Sequence, residues 1–137
     1  HPYFMESHTE RAFKALVERL EQGSAVAIGE CGLDFAIPHA QKEQEALFYR
    51  HIELAEEYDL PLIIHGRKSY DQILKALRRA PKVRGVCHSF IGREQRADQL
   101  LELGFYLGFG GAATYERAKK LARISKKIPL ICLLLET

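Results

Sequence analysis

Three residues able to hold a metal ion, Glu30, His65 and His88, each come directly after a short apolar run, and more than twenty residues separate each from the next. The runs cover residues 24–29, 60–64 and 83–87. A further acid, Glu136, follows the run at 130–135, with Thr137 behind it. Imidazole nitrogen combined with carboxylate oxygen suits a borderline or hard divalent ion such as Zn, Mn or Mg. Such an ion, held with one coordination position open, activates water for hydrolysis. A lone histidine at the end of an apolar run is more often a hydrogen-bonded structural residue than a ligand. Three separate ends, each carrying a ligand-type side chain, point instead to a shared site.

That site needs elements that bring distant residues together. The apolar runs, with a further one at 105–109, are of strand length, and three are nearly continuous, as expected of strands buried on both faces. Segments with helical spacing lie between them, at 8–22, 41–58, 69–80, 92–103 and 114–127. The first carries Phe13, Leu16, Val17 and Leu20 at offsets of three and four before Gly23. Strand and helix thus alternate five times, which predicts repeated βα units and a parallel sheet in a single domain over residues 1–137. Right-handed crossovers allow a closed (β/α)8 barrel or an open doubly wound sheet. In either, the strand C-termini share one end of the sheet, where Glu30, His65 and His88 would meet.

Composition narrows the class. The chain has 137 residues, 47% apolar and 28% charged, with no long Pro-, Gly- or Ser-rich linker, which is ordinary for a globular domain. Its net charge of +2 excludes binding nucleic acid through a general positive coat and leaves a local site for phosphates. Three cysteines without a CxxC pair fit a reducing compartment, so a cytoplasmic location is expected. No run approaches the ~20 apolar residues of a membrane span.

One signal competes. Gly108, Gly110 and Ala113 match G-x-G-x-x-A between a strand run and a helix, and Glu136 ends the next strand, where an acid could hold a ribose hydroxyl. A dinucleotide-binding module would explain these residues but leaves Glu30, His65 and His88 without a purpose. Tight strand-to-helix bends also select glycine on their own.

Longer motifs then recur in order. Residues 28–35 read IGECGLDF, Gln44 and Phe48 form Q-x-x-x-F, residues 60–67 read LPLIIHGR, and 86–92 read VCHSFIG. GFYLGFG follows at 104–110, LLLET ends the chain, and His1-Pro2 opens it. The whole series resembles the TatD-type deoxyribonucleases, whose patterns include G-x-H-P, P-x-x-x-H-x-R, H-x-F-x-G and L-L-x-E-T-D. The resemblance implies a (β/α)8 TIM-barrel metallohydrolase with about five βα units in this chain. It also implies one or two divalent ions (Mg, Mn or Zn) and hydrolysis of DNA phosphodiesters, often from a 3′ end. Carried over, Glu30, His65 and His88 become the catalytic metal ligands, with Glu30 able to bridge two ions. His1 matches a site histidine at the substrate, and Arg67 would approach a substrate phosphate or hold the metal site, unless it forms a surface ion pair.

The family's first strand, with its H-x-H pair, and the aspartate that should follow Thr137 are not among these residues. An open five-stranded piece would expose two sheet edges, so a longer working protein, or an oligomer or partner covering the edges, is expected. Two alternatives to DNA cleavage follow: a metal hydrolase of small esters, amides or lactones on the same barrel, or a non-catalytic remnant. Asp34 is expected to satisfy backbone amides in a turn, and His8, His39 and His51 to lie on the surface. The basic run Arg117, Lys119, Lys120, Arg123, Lys126 and Lys127 is expected to form a solvated outer helix face, away from the mouth.

Overall fold

The computed structural model describes residues 1–136, with every side chain but that of Arg117. Thr137, which closes the L-L-x-E-T match, lies outside the described residues. Strands β1 (Ile28–Asp34), β2 (Leu62–Arg67), β3 (Gly85–His88), β4 (Phe105–Phe109) and β5 (Leu133–Leu135) form one parallel sheet in chain order. Helices α1 (Glu10–Glu21), α2 (Gln41–Glu57), α3 (Tyr70–Leu77), α4 (Glu94–Glu102) and α5 (Lys119–Ser125) alternate with them. A doubly wound sheet reverses its strand order at a switch point. Here the order never reverses, and the sheet is an arc of a (β/α)8 barrel.

Each strand sorts its side chains between two faces, since successive residues point to opposite sides. Cys31, Leu33, Leu62, Ile64, Cys87, Phe105 and Leu107 face the helices and are buried. They pack with Phe48 and Ile52 of α2, Ile73, Leu74 and Leu77 of α3, and Leu100 of α4. Each buried Leu, Ile or Phe among them contributes about 1.5–3 kcal/mol. The inner face changes character along its length. Ile63, Val86, Tyr106 and Leu134 line an apolar groove of about 310 Å³ near the strand starts. The strand ends carry Glu30, Asp34, His65, Arg67 and His88, which are polar.

Several boundaries differ from the sequence reading. The first strand begins at Ile28 and runs through Asp34, not across 24–29. Its polar and glycine residues look like a loop in sequence, yet they pair with β2 from Ile28↔Leu62 to Asp34↔Arg67. Glu30, His65 and His88 are therefore within strands and not after them. The segment 114–127 is helical only from Lys119, behind 3-10 turns at Gly111–Thr114 and Glu116–Ala118. A 3-10 turn at Leu130–Cys132 likewise shortens the last strand. Among the described residues, no helix is long and apolar enough to cross a membrane.

Candidate metal centre

Backbone register puts the ligand-type residues on one level. Gly32 pairs with His65, and His65 with His88, across β1, β2 and β3. Close approach at this level requires glycine: Gly32 has φ +124°, and a Cβ there would lie 2.1 Å from the His65 carbonyl oxygen. The register shifts between Gly29 and Cys31, so Glu30 occupies a bulge and takes no ladder partner. Bulges re-aim side chains, and the Glu30 carboxylate turns to the half-buried His65 ring.

Three donors gather there. Glu30 Oε1 lies 3.2 Å from His65 Nδ1 and 3.5 Å from His1 Nε2, and the two imidazole nitrogens are 3.1 Å apart. Ligand atoms at ~2.1 Å from one tetrahedral ion stand roughly 3.4 Å from each other. The separations fit a shared divalent cation, and these residues form the candidate metal group. His88 is not in it, although the register sets it beside His65.

Hydrogen bonds behind the rings distinguish their roles. His65 Nε2 faces Asp34 Oδ2 at 3.1 Å, so Nε2 carries the proton and Nδ1 presents a lone pair. A carboxylate behind a ligand histidine fixes its ring and raises its basicity. His1 is reversed. Its Nδ1 accepts from the Tyr3 amide at 3.0 Å, which leaves the proton on Nε2, the atom facing Glu30 and His65. His1 therefore stands as a hydrogen-bond donor to the site, and ligation through Nε2 requires release of the Tyr3 amide.

Asp34 does more than the turn role expected from sequence. Its Oδ1 accepts from the Ala36 amide at 2.9 Å, as a turn carboxylate should, while Oδ2 holds His65. The buried Gln44 side chain clamps the Asp34 backbone, accepting from its amide at 2.8 Å and donating to its carbonyl at 3.0 Å. Phe48, one turn further along α2, is buried in the core. The Q-x-x-x-F spacing thus ties the end of β1 to the helix that covers it. Arg67 Nη1 stands 4.0 Å from Asp34 Oδ2 on the exposed flank.

His88 forms a second group. Its Nδ1 meets Glu136 Oε2 at 2.5 Å, and Glu136 Oε1 accepts from the Ser89 amide. Gly108 makes room: a Cβ there would lie 2.6 Å from the Glu136 carboxylate. This use of Gly108, and the 3-10 turn that follows Gly110 in place of a long helix, leave the dinucleotide reading without support.

Other side chains sort away from the site. Burial pushes the Cys31 and Cys87 thiols up to about 12, and both face the helices as protonated core residues. His51 is buried, contrary to expectation, with Nδ1 donating to the Leu47 carbonyl at 2.8 Å. His8 is partly buried and contacts the His1 carbonyl through Nε2 at 3.2 Å.

The family model described as TatD related DNase matches residues 1–137. The chain belongs to that family. Among curated relatives of this TatD chain is an uncharacterized metal-dependent hydrolase, YjjV, of Escherichia coli K12, 40% identical over 141 residues. Another is YabD of Bacillus subtilis 168, also an uncharacterized metal-dependent hydrolase, 36% identical over 140 residues. Both alignments cover all of this chain, but only 54% and 55% of those proteins. It spans about half the length of the curated relatives it matches. The crystal structure of E. coli YjjV, a TatD homologue, superposes with a TM-score of 0.91 at 36% identity, over all of this chain and 54% of that one. A TatD family hydrolase from Entamoeba histolytica gives 0.80 at 28% identity, over all of this chain and 48% of that one.

The role of Asp34 and Gln44 in this TatD chain was hidden from a position-by-position reading. Their partners lie 31 and 10 residues away, and only the fold supplies that adjacency. The signal available was the identity of Gln44 itself, an amide on a stripe that, His51 apart, is apolar.

Proposed function

We propose that the protein is a divalent-metal-dependent hydrolase that cleaves phosphodiester bonds in DNA. The reading is supported by one geometric fact above all. A carboxylate and a carboxylate-backed imidazole, Glu30 and His65, meet at ligand spacing at the open strand ends. Membership of the TatD-related DNase family and the metal-dependent hydrolase names of relatives support the same class.

A divalent ion bound there supplies Lewis-acid charge and an acidified water for attack on phosphorus. Glu30 and His65 would hold it, with His88 contributing through its second nitrogen, Nε2. Asp34 keeps His65 in the tautomer that offers Nδ1. His1 Nε2 donates toward a phosphoryl oxygen or toward Glu30. Arg67, exposed beside Asp34, neutralises substrate phosphate charge that grows as the bond breaks.

The test is hydrolysis of a labelled DNA oligonucleotide by the intact protein with Mg or Mn, with Glu30→Ala and His65→Ala beside the wild type. Cleavage that falls by about 10²–10³-fold in both variants supports the site. Unchanged cleavage in both removes it. Hydrolysis of small esters without action on DNA replaces the substrate class and leaves the metal centre standing.

A further inference from the structure

Beside the candidate centre lies a cleft of about 560 Å³ between the starts of α3 and α4. Arg67 belongs to both. It lines the cleft, and its guanidinium stands 4.0 Å from the carboxylate of Asp34, the residue that holds His65. The cleft therefore continues the mouth of the metal site, and its volume is within the range of small-ligand sites, roughly 300–1,000 Å³.

Its charge is out of proportion to the chain. Arg67, Lys68, Arg93, Arg96 and Lys120 line it, against a single carboxylate, Asp71. Five positive groups less one negative give +4, while the entire chain carries only +2. Asp71 is taken by Arg96 at 2.6 Å. Among the described residues, Lys68, Arg93 and Lys120 have no carboxylate partner, although the same surface pairs Arg123 and Lys127 with Glu94. The basic run is thus divided: Arg123 of α5 and Lys127 just beyond it pair with Glu94 of α4, and Lys120 lines the cleft. Crowding cations without counter-charges gains nothing for folding, because like charges repel.

The walls are also fixed. The Tyr70 hydroxyl accepts from the Ile91 amide at 3.2 Å, joining the start of α3 to the loop after β3. Ile91 is 52% exposed at the cleft, an apolar surface among charges. Cations around an apolar patch suit a ligand with alternating anionic and apolar parts.

We propose that this cleft is a strand-binding subsite, which takes a backbone phosphate of the nucleic acid next to the phosphodiester being cut. Lys68, Arg93 and Lys120 hold the flanking phosphate, Ile91 meets sugar or base, and Arg67 links the two phosphate positions. The inference rests on the phosphodiesterase reading and adds to it a specificity for polymers over small diesters.

The test uses the intact protein and an Arg93→Ala/Lys120→Ala double variant, which removes two exposed side chains outside the candidate metal group. Three quantities are measured: hydrolysis of a labelled oligonucleotide, hydrolysis of bis(p-nitrophenyl) phosphate, and anisotropy of the labelled oligonucleotide in EDTA at several salt concentrations. The expected result is a KM for oligonucleotide raised on the order of 10-fold, with kcat and small-diester turnover retained. The dependence of log affinity on log salt becomes shallower by about 1.4, roughly 0.7 for each cation removed. Oligonucleotide cleavage by wild type, with KM and salt slope unchanged in the variant, overturns the subsite alone. A wild type that cleaves the small diester but neither binds nor cuts oligonucleotide overturns both the subsite and the DNA reading. Salt-sensitive binding that the variant loses, without hydrolysis in either, supports the subsite and defeats the catalytic reading.

Discussion

Two carboxylate–histidine pairs stand at the mouth, their histidines on the neighbouring strands β2 and β3, and they are built alike. Asp34 holds Nε2 of His65 at 3.1 Å and leaves Nδ1 to face Glu30. Glu136 holds Nδ1 of His88 at 2.5 Å and leaves Nε2 beside the Ser89 hydroxyl at 3.4 Å. What differs is the support. Asp34 ends a seven-residue strand and is clamped from behind by Gln44 and capped by the Ala36 amide. Glu136 follows a three-residue edge strand and rests over Gly108. The first pair also meets a third donor, Glu30, which the second lacks. A histidine becomes a prepared ligand through the rigidity behind it and the company in front, and only the β1–β2 side supplies both.

The largest effect is expected where the donors converge. Glu30→Gln keeps shape but removes the charge shared with His65 and His1, and hydrolysis should fall by about 10²–10³-fold. Chelation of divalent ions should bring the wild type to the level of this variant. His65→Ala should cost more metal affinity than His88→Ala, measured by isothermal titration with Mn. Equal losses would break the asymmetry between the two pairs.

Next in size is the residue behind the ring. Asp34→Asn still reaches His65, but its amide can offer either an oxygen or an N–H, so the tautomer is no longer held. Metal affinity should fall roughly 10–100-fold, as is typical for outer-shell partners of metal ligands. The matching change at the other pair, Glu136→Gln, should cost less. Mn titration of the two variants together sharpens the comparison, and a larger loss in Glu136→Gln reverses it.

Support for Asp34 comes from the helix side. Gln44→Ala leaves a buried Asp34 amide without its acceptor, a loss of about 1–3 kcal/mol in urea unfolding. Gly32→Ala belongs to the same scale. It imposes φ +124° on a side-chain-bearing residue and drives a Cβ onto the His65 carbonyl, both backbone faults. Gly108→Ala meets a movable carboxylate instead, so its stability loss should be smaller and its effect confined to the His88 pair.

The alternation of strands and helices was plain in sequence because each apolar run is strand-length and each amphipathic stripe is helical. Burial on both faces writes itself into composition. The extension of β1 past Gly29 was not plain, since Glu30, Gly32 and Asp34 are small or polar residues that read as loop. They lie where the inner face at the strand ends carries the candidate site, and there polar residues replace the apolar pattern that marks a strand. Placing Glu30, His65 and His88 at one end of the sheet followed from topology alone. Which of them touch did not, because ring direction depends on Asp34 and Glu136, and on the bulge at Glu30. His51 was misassigned for a different reason. It lies seven residues after Gln44 and three after Phe48 on the buried stripe of α2, and that spacing outweighs its polarity.

The smallest expected effect separates this core histidine from those at the mouth. Burial is the main cause that holds the His51 pKa below the ordinary histidine value, with nearby His8 and Arg50 adding to it and the Leu47 carbonyl opposing. A neutral His51 is therefore favoured in the folded chain, while the unfolded chain takes up its proton near pH 6.5. Because the folded pKa is the lower, the stabilisation is complete above the unfolded pKa and is lost as pH falls from there through the folded value. Urea midpoints measured from pH 7.5 to 5 should decline for the wild type and decline less for His51→Leu. Activity followed over the same range reports on the mouth, so a pH at which activity is lost before stability assigns that loss to the site. Parallel slopes in the two proteins would mean that His51 gains its proton without cost, and that its burial in α2 is looser than its contacts indicate.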